Sequence, residues 1–192
     1  MKPVTFWFEF ASPYSYLAAE RLRSERRRPP QMVWRPFLLG PILQSQGSPF
    51  AASSAKAAYV WRDVARLADR QGLALQRPHP FPQNGLRAAR IATAFAAEPW
   101  LADFVCAVFR AEFAHGHHLA DEETLRDVLD GMGLPTAAIL DEAERAETKA
   151  ALRAQTEQAQ ALGIFGAPNF TVERELFWGQ DRLDDALAWA KA

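Results

Sequence analysis

Strand-forming sequence is confined to the two ends of this 192-residue chain, so any sheet has to be assembled from segments far apart in sequence. Near the start, "VTFWFEF" (residues 4–10) is β-branched and aromatic, bounded by Pro3 and by Ser12-Pro13, and reads as a buried strand. A helix, "YSYLAAERLRSERRR", follows directly. Pro13 suits its first position, because the N–H that proline lacks is one of the helix's orphan donors anyway. Pro29-Pro30 stops that helix, and "QMVWRPF" supplies a second strand, which makes a β-α-β unit. Strand character returns only after Gly163, where "PNFTVE" and "ELFWG" are separated by a short turn at Glu173-Arg174. "DRLDDALAWAKA" then closes as a helix with Asp181 at its start.

The middle is helical. "SSAKAAYVWRDVARLADRQGL" begins with serine caps and repeats Ala57, Val60, Val64, Leu67 and Ala68 at helical spacing. "NGLRAARIATAFAAE", "PWLADFVCAVFRAEFA", "DEETLRDVLDGMG" and "PTAAILDEAERAETKAALRAQTEQAQALG" continue it, with Gly or Pro at nearly every break. The expected architecture is α/β: a mixed sheet in the order β-α-β … β-β-α with a large all-helical insertion. Residues 1–40 and 160–192 would form one discontinuous domain and 41–159 the insertion.

Charge and cysteine content exclude several classes. With 22 Lys+Arg against 23 Asp+Glu, the chain lacks the excess expected of a nucleic-acid binder. One cysteine, Cys106, rules out an intrachain disulfide framework and a Cys-rich zinc site, and its apolar surroundings in "LADFVCAVF" read as core. "HGHH" (His115, His117, His118) sits in a polar loop without carboxylate or cysteine partners at ligand spacing, so no metal site is expected. No long apolar run exists, and the stretch before the first turn signal is too short for a secretory signal; a cytoplasmic globular protein with no membrane partner is expected.

The junction between first strand and first helix, "FASPYSY", carries the chemical question. Ser12 reads as an ordinary N-cap, its Oγ accepting an N–H of the first turn. A helix N-terminus also stabilises anions, and a hydroxyl there can donate a hydrogen bond to a thiolate that the chain does not itself own. Pro168 in "GAPNF" reads as a strand-entry proline. In "WGQDRLDD", Asp181 reads as a cap with Asp184 three residues on.

"FEFASPYSYLA" and "GIFGAPNFTVERELFWGQDRLD", with "RPFLLGPIL" and "AKAAYVWRDVARLADRQGL" between them in matching order, resemble the 2-hydroxychromene-2-carboxylate isomerase family. That family has a thioredoxin-like fold of the disulfide-oxidoreductase type and is related to kappa-class glutathione transferases. The resemblance implies a glutathione-dependent isomerase acting on a small aromatic keto acid, working as a homodimer. Ser12 would be the catalytic residue that contacts the glutathione sulfur. Pro168 would be cis, turning Ala167 toward the cysteinyl backbone, and Gly179, Gln180, Asp181 and Arg182 would hold the γ-glutamyl end. On the substrate side an aromatic carboxylate needs a cation, for which Lys56, Arg62 and Arg87 are candidates. Asn84 could bond a phenol or keto oxygen, and Gln44 stands where the family more often has a basic or amide residue. A kappa-like transferase, or a non-catalytic glutathione-binding protein, would use the same anchoring residues.

Overall fold

A computed structural model describes residues 1–24, 31–47 and 55–192. The serine caps expected at Ser53 and Ser54 and the stop at Pro29-Pro30 lie outside these residues. One four-stranded sheet runs in the order β2-β1-β3-β4. β1 (Val4–Phe8) pairs in parallel with β2 (Met32–Pro36) and antiparallel with β3 (Asn169–Val172), which pairs with β4 (Glu175–Trp178). The ends of the chain therefore share a sheet, with Phe6 set between Trp34 on one side and Phe170 on the other.

Both faces of β1 are covered, which is why it reads as a continuous apolar run rather than an alternating one. Val4, Phe6 and Phe8 face one core with Phe109 and Phe170, while Trp7 faces a second, smaller core with Phe37, Ile42, Ala159 and Ile164. Trp7 Nε1 donates to Thr171 Oγ1 across the sheet (3.0 Å), so the indole is buried with its polar atom satisfied.

Helix α1 (Pro13–Ser24) lies over the larger core and packs along α5 (Leu101–Phe113). The connecting chain also forms α2 (Leu39–Ser45), α3 (Ala55–Gln71), α4 (Leu86–Ala94), α6 (Glu122–Gly131), α7 (Thr136–Ala143) and α8 (Ala146–Ala161). The division expected between residues 159 and 160 falls inside α8. The Thr156 hydroxyl of that helix accepts from Leu38 N just after β2 (3.1 Å), so α8 covers the sheet directly. The segment read as one helix from Pro135 to Gly163 is two. It breaks where Arg145 turns extended, beside a Glu144 carboxylate that pairs with Arg87, Arg90 and Lys149.

After β4 a short 3-10 turn (Gln180–Arg182) leads into α9 (Leu183–Trp189). Asp181 was expected to cap this last helix. It lies instead within the 3-10 turn, where no side-chain cap bond forms, and its carboxylate takes Arg182 as partner at 2.9 Å. Among the described residues no helix is long and apolar enough to cross a membrane.

Candidate functional site

Between β1 and α1 the chain turns tightly, with Ser12 N donating to the Glu9 carbonyl (3.0 Å). The Ser12 hydroxyl then works in both directions. It accepts from Ser15 N (3.2 Å), which makes it the N-cap of α1, and it donates to the Ala167 carbonyl (3.2 Å), 155 positions later. The Ala167–Pro168 peptide is cis, and Gly179 N returns to the Pro168 carbonyl (3.0 Å). Sheet pairing of β1 with β3 is what sets the two ends of the chain against each other here. Capping and chemistry are thus compatible at Ser12: the lone pair serves the helix, and the hydroxyl proton points at a neutral carbonyl. An anionic sulfur would be the better acceptor for that proton.

Ser12 opens onto a cavity of about 740 Å³ walled by Leu38, Leu43, Val60, Phe81 and Leu86, with Gln44, Gln83 and Asn84 as its amides. Its size suits a small aromatic molecule. Asn84 Oδ1 accepts from Leu86 N (3.1 Å), which leaves its amide N–H groups as the donors it can offer. The loop before α4 reaches the cavity by passing directly over Phe10. A β-carbon on Gly85 would stand 2.6 Å from Phe10 Cβ, so only glycine lets that wall sit where it does.

The expected substrate-side residues divide. Gln44 and Asn84 line the cavity with Ser12. Lys56 is exposed on α3, one turn before Val60, and is not part of the lining. Arg62 is exposed and is not part of the lining. Arg87 is not brought to the cavity. Its neighbour Leu86 takes that face of α4, while the guanidinium is held by Glu122 and Glu144.

Sequence reading missed Glu9. Its side chain is nearly buried and lines the cavity floor, with Oε2 accepting from Leu39 N (2.7 Å) and Oε1 from Ala11 N at a longer 3.4 Å. Burial raises its pKa to about 7, against the opposing pull of those N–H groups and of Phe10 N. Behind it on α5, Glu112 is fully buried and both its oxygens lack a partner among the described residues; burial first, and then the charge on Glu9, hold it well above the usual carboxylate range. Tyr14, at the cavity edge, donates to Asp63 Oδ2 (2.9 Å), and burial together with that bond raises its phenol. The available signal for Glu9 was a single carboxylate in the otherwise apolar "FWFEFA", costly to bury and so in need of a reason.

A second cavity of about 620 Å³ lies further along α1, where Gln180 and Asp181 meet Glu20, Arg21 and Arg70. Gln180 is nearly buried; Asp181 and Arg182 are exposed, and the guanidinium also reaches Asp185 (3.0 Å). Cys106 takes no part in either cavity. It is fully buried on α5 with Sγ 3.6 Å from the Ala19 carbonyl, and burial pushes its thiol up to about 12.

Residues 3–188 match the family model described as the DSBA-like thioredoxin domain. The chain is 27% identical over 188 residues to a 2-hydroxychromene-2-carboxylate isomerase of Sphingobium xenophagum, covering 95% of each protein. Among solved structures it is similar to a 2-hydroxychromene-2-carboxylate isomerase, with a TM-score of 0.87 at 25% identity over 98% of this chain and 94% of the other. It shares its fold with the cytosolic disulfide reductase DsbM of Pseudomonas aeruginosa, solved with GSH. There the TM-score is 0.67 at 17% identity, over 98% of this chain and 96% of that one.

Proposed function

The chain belongs to the DSBA-like thioredoxin family, and from that premise we propose that it is a glutathione-dependent isomerase. The proposed reaction interconverts 2-hydroxychromene-2-carboxylate and trans-o-hydroxybenzylidenepyruvate, or a similar aromatic keto acid. The observation that carries this reading is Ser12 at the start of α1, facing the cis Ala167–Pro168 peptide and opening onto an apolar cavity. A cysteine in that position would make a redox centre; a hydroxyl cannot exchange electrons, but it can hold a thiolate. The similarity to isomerases over nearly the whole chain supports the same reading.

The residues present fit glutathione. Ser12 Oγ–H at the N-terminus of α1 suits an ionised sulfur, and the backbone at Ala167 suits the cysteinyl peptide as an added strand. Gln180 and the Asp181 carboxylate suit the γ-glutamyl ammonium, and the Arg182 guanidinium suits its carboxylate. Held by these residues, glutathione would supply a thiolate nucleophile for reversible addition to a conjugated alkene, the chemistry that frees rotation about a double bond. The chain's own work is to keep that sulfur ionised through Ser12, to hold the aromatic ring between Val60, Phe81 and Leu86, and to bind the keto or phenol oxygen through Asn84 or Gln44. Lys56, exposed on α3 one turn before Val60, is the cation we assign to the substrate carboxylate. The reading includes a cytoplasmic setting, where a reduced thiol is at hand, and a homodimer, which sedimentation checks.

One observation favours a second reading. Among the described residues lining the cavity none is cationic, which suits a neutral electrophile and a kappa-like transferase. Thiol balance separates the two. An isomerase returns its thiol, so with a benzylidenepyruvate-type substrate sub-stoichiometric glutathione should support many turnovers while free thiol stays constant. Thiol consumed in step with product, and no cis–trans or ring-opening product, would establish the transferase instead.

Anchoring has its own test. Asp181→Ala should raise the glutathione concentration for half-saturation on the order of tenfold, since a hydrogen bond to a charged group is lost, and leave turnover at saturation nearly unchanged. Slower turnover at saturation with unchanged affinity would contradict the assigned role.

A further inference from the structure

We infer that the Glu9 carboxyl is the proton shuttle for opening the cyclic hemiketal, a step that comes before any thiol chemistry; the inference rests on the isomerase reading above. Ring opening moves one proton. The hydroxyl of the hemiketal gives up its hydrogen, its O–H electron pair becomes the new C=O bond, and the ring C–O pair leaves with the phenol oxygen, which then takes a proton. A carboxylate that accepts the first proton and returns it to the phenol oxygen completes the step. Atoms and charge balance, the carboxylate is regenerated, and no co-reactant is required.

Glu9 is placed for this work. It lines the same cavity as Ser12 and Asn84, and it is the one carboxylate among the described lining residues. Its two oxygens are held unequally. The 2.7 Å bond from Leu39 N occupies Oε2 in either protonation state, whereas Oε1 has the longer 3.4 Å contact from Ala11 N and is the oxygen we assign to proton exchange with a molecule in the cavity. A shuttle must be acid and base at the same pH, and a carboxyl raised to about 7 by burial meets that condition.

The surroundings keep it there. From α5 comes the partnerless Glu112, raised by its own burial and by the charge on Glu9, and no cation among the described residues acts on Glu9. From α1 come the hydroxyls of Ser12 and Ser15 and the phenol of Tyr14, which is itself raised. The start of α2 presents the Leu39 N–H, and the loop before α4 presents the amides of Gln83 and Asn84. An anionic substrate would push Glu9 higher still, so the ionisation seen in kcat should lie above the one seen in kcat/KM.

The test uses the whole protein without glutathione, with 2-hydroxychromene-2-carboxylate as probe and exchange between the ring-closed and cis-open forms followed by NMR. Wild-type protein should accelerate that exchange, with a rate that rises through an ionisation near neutrality. Glu9→Gln should slow it about 100-fold and abolish the ionisation, while Glu9→Asp keeps the ionisation at a reduced rate. An unchanged rate or an unchanged ionisation in Glu9→Gln would overturn the inference and leave the isomerase reading standing. Thiol-dependent cis–trans conversion that fails in wild type, with ring exchange intact, would sink the isomerase reading alone. Infrared titration of wild type guards against a variant that does not fold. A protonated-carboxyl band that disappears near neutral pH is expected, and its absence would overturn the assignment without any mutant.

Discussion

Ser12→Ala is expected to lower turnover by roughly 10²–10³-fold while glutathione still binds within a few-fold of the wild-type affinity. The two effects separate because, of the tripeptide, the hydroxyl meets only the sulfur; Ala167 loses one hydrogen bond from Ser12, and the Gln180–Arg182 turn, assigned to the γ-glutamyl end, is untouched. The pKa of the bound thiol should rise in the variant and account for the loss. Stability changes much less. Ser15 N loses its cap, which costs about 1 kcal/mol, so calorimetry should find a folded protein with a slightly lower Tm. Unchanged turnover in a variant that lost only the cap would reduce Ser12 to a helix-capping residue.

Glu9→Gln should stabilise the protein at high pH and not at low pH, by a difference that reaches roughly 3 kcal/mol. The unfolded chain releases the Glu9 proton near 4.5, whereas the folded protein keeps it to about 7. Between those values the folded state binds more protons than the unfolded state. The stability associated with the buried neutral carboxyl is therefore fully present below 4.5, falls as pH rises, and is lost above about 7. Glutamine cannot ionise, yet its oxygen can still accept from Leu39 N, so it escapes the loss. Denaturant unfolding of both proteins from pH 4 to pH 8 measures the gap. A constant gap across that range would mean that Glu9 titrates as an exposed carboxylate does.

The sheet was legible because its strands are coded by composition. "VTFWFEF" and "QMVWRPF" at one end and "PNFTVE" and "ELFWG" at the other are the segments dense in aromatic and β-branched residues, and all four became strands. Helix α2 was not legible, since Gly40 and Pro41 in "LGPILQS" read as punctuation; Pro41 is tolerated because it sits in the first turn. The split between α7 and α8 was hidden for the opposite reason. No Gly or Pro marks it, and the break goes with a cluster of cations on Glu144 that forms only in the folded molecule.

In the site, Ser12 and Pro168 announced themselves by position, one at a strand–helix junction and one at a strand entry. Substrate-side residues did not, because which face of a helix meets a cavity is a tertiary fact. Arg87 and Leu86 are neighbours in sequence, yet the helix turns one toward Glu122 and Glu144 and the other toward the cavity. Glu9 lay unremarked in the segment read as a buried strand, which ends at Phe8; its setting depends on Leu39 and α5, which arrive from elsewhere in the chain.

With Cys106 enclosed between α5 and α1, the protein offers no thiol of its own to a peroxide or to another protein's disulfide. On the proposed reading, a scaffold widely used for electron exchange has become indifferent to the reduction potential around it and sensitive to the supply of one small thiol. Oxidants would silence such a protein by emptying that pool and would leave the polypeptide unmarked. Recovery would then need only the pool to be reduced again, with no repair or resynthesis of the chain.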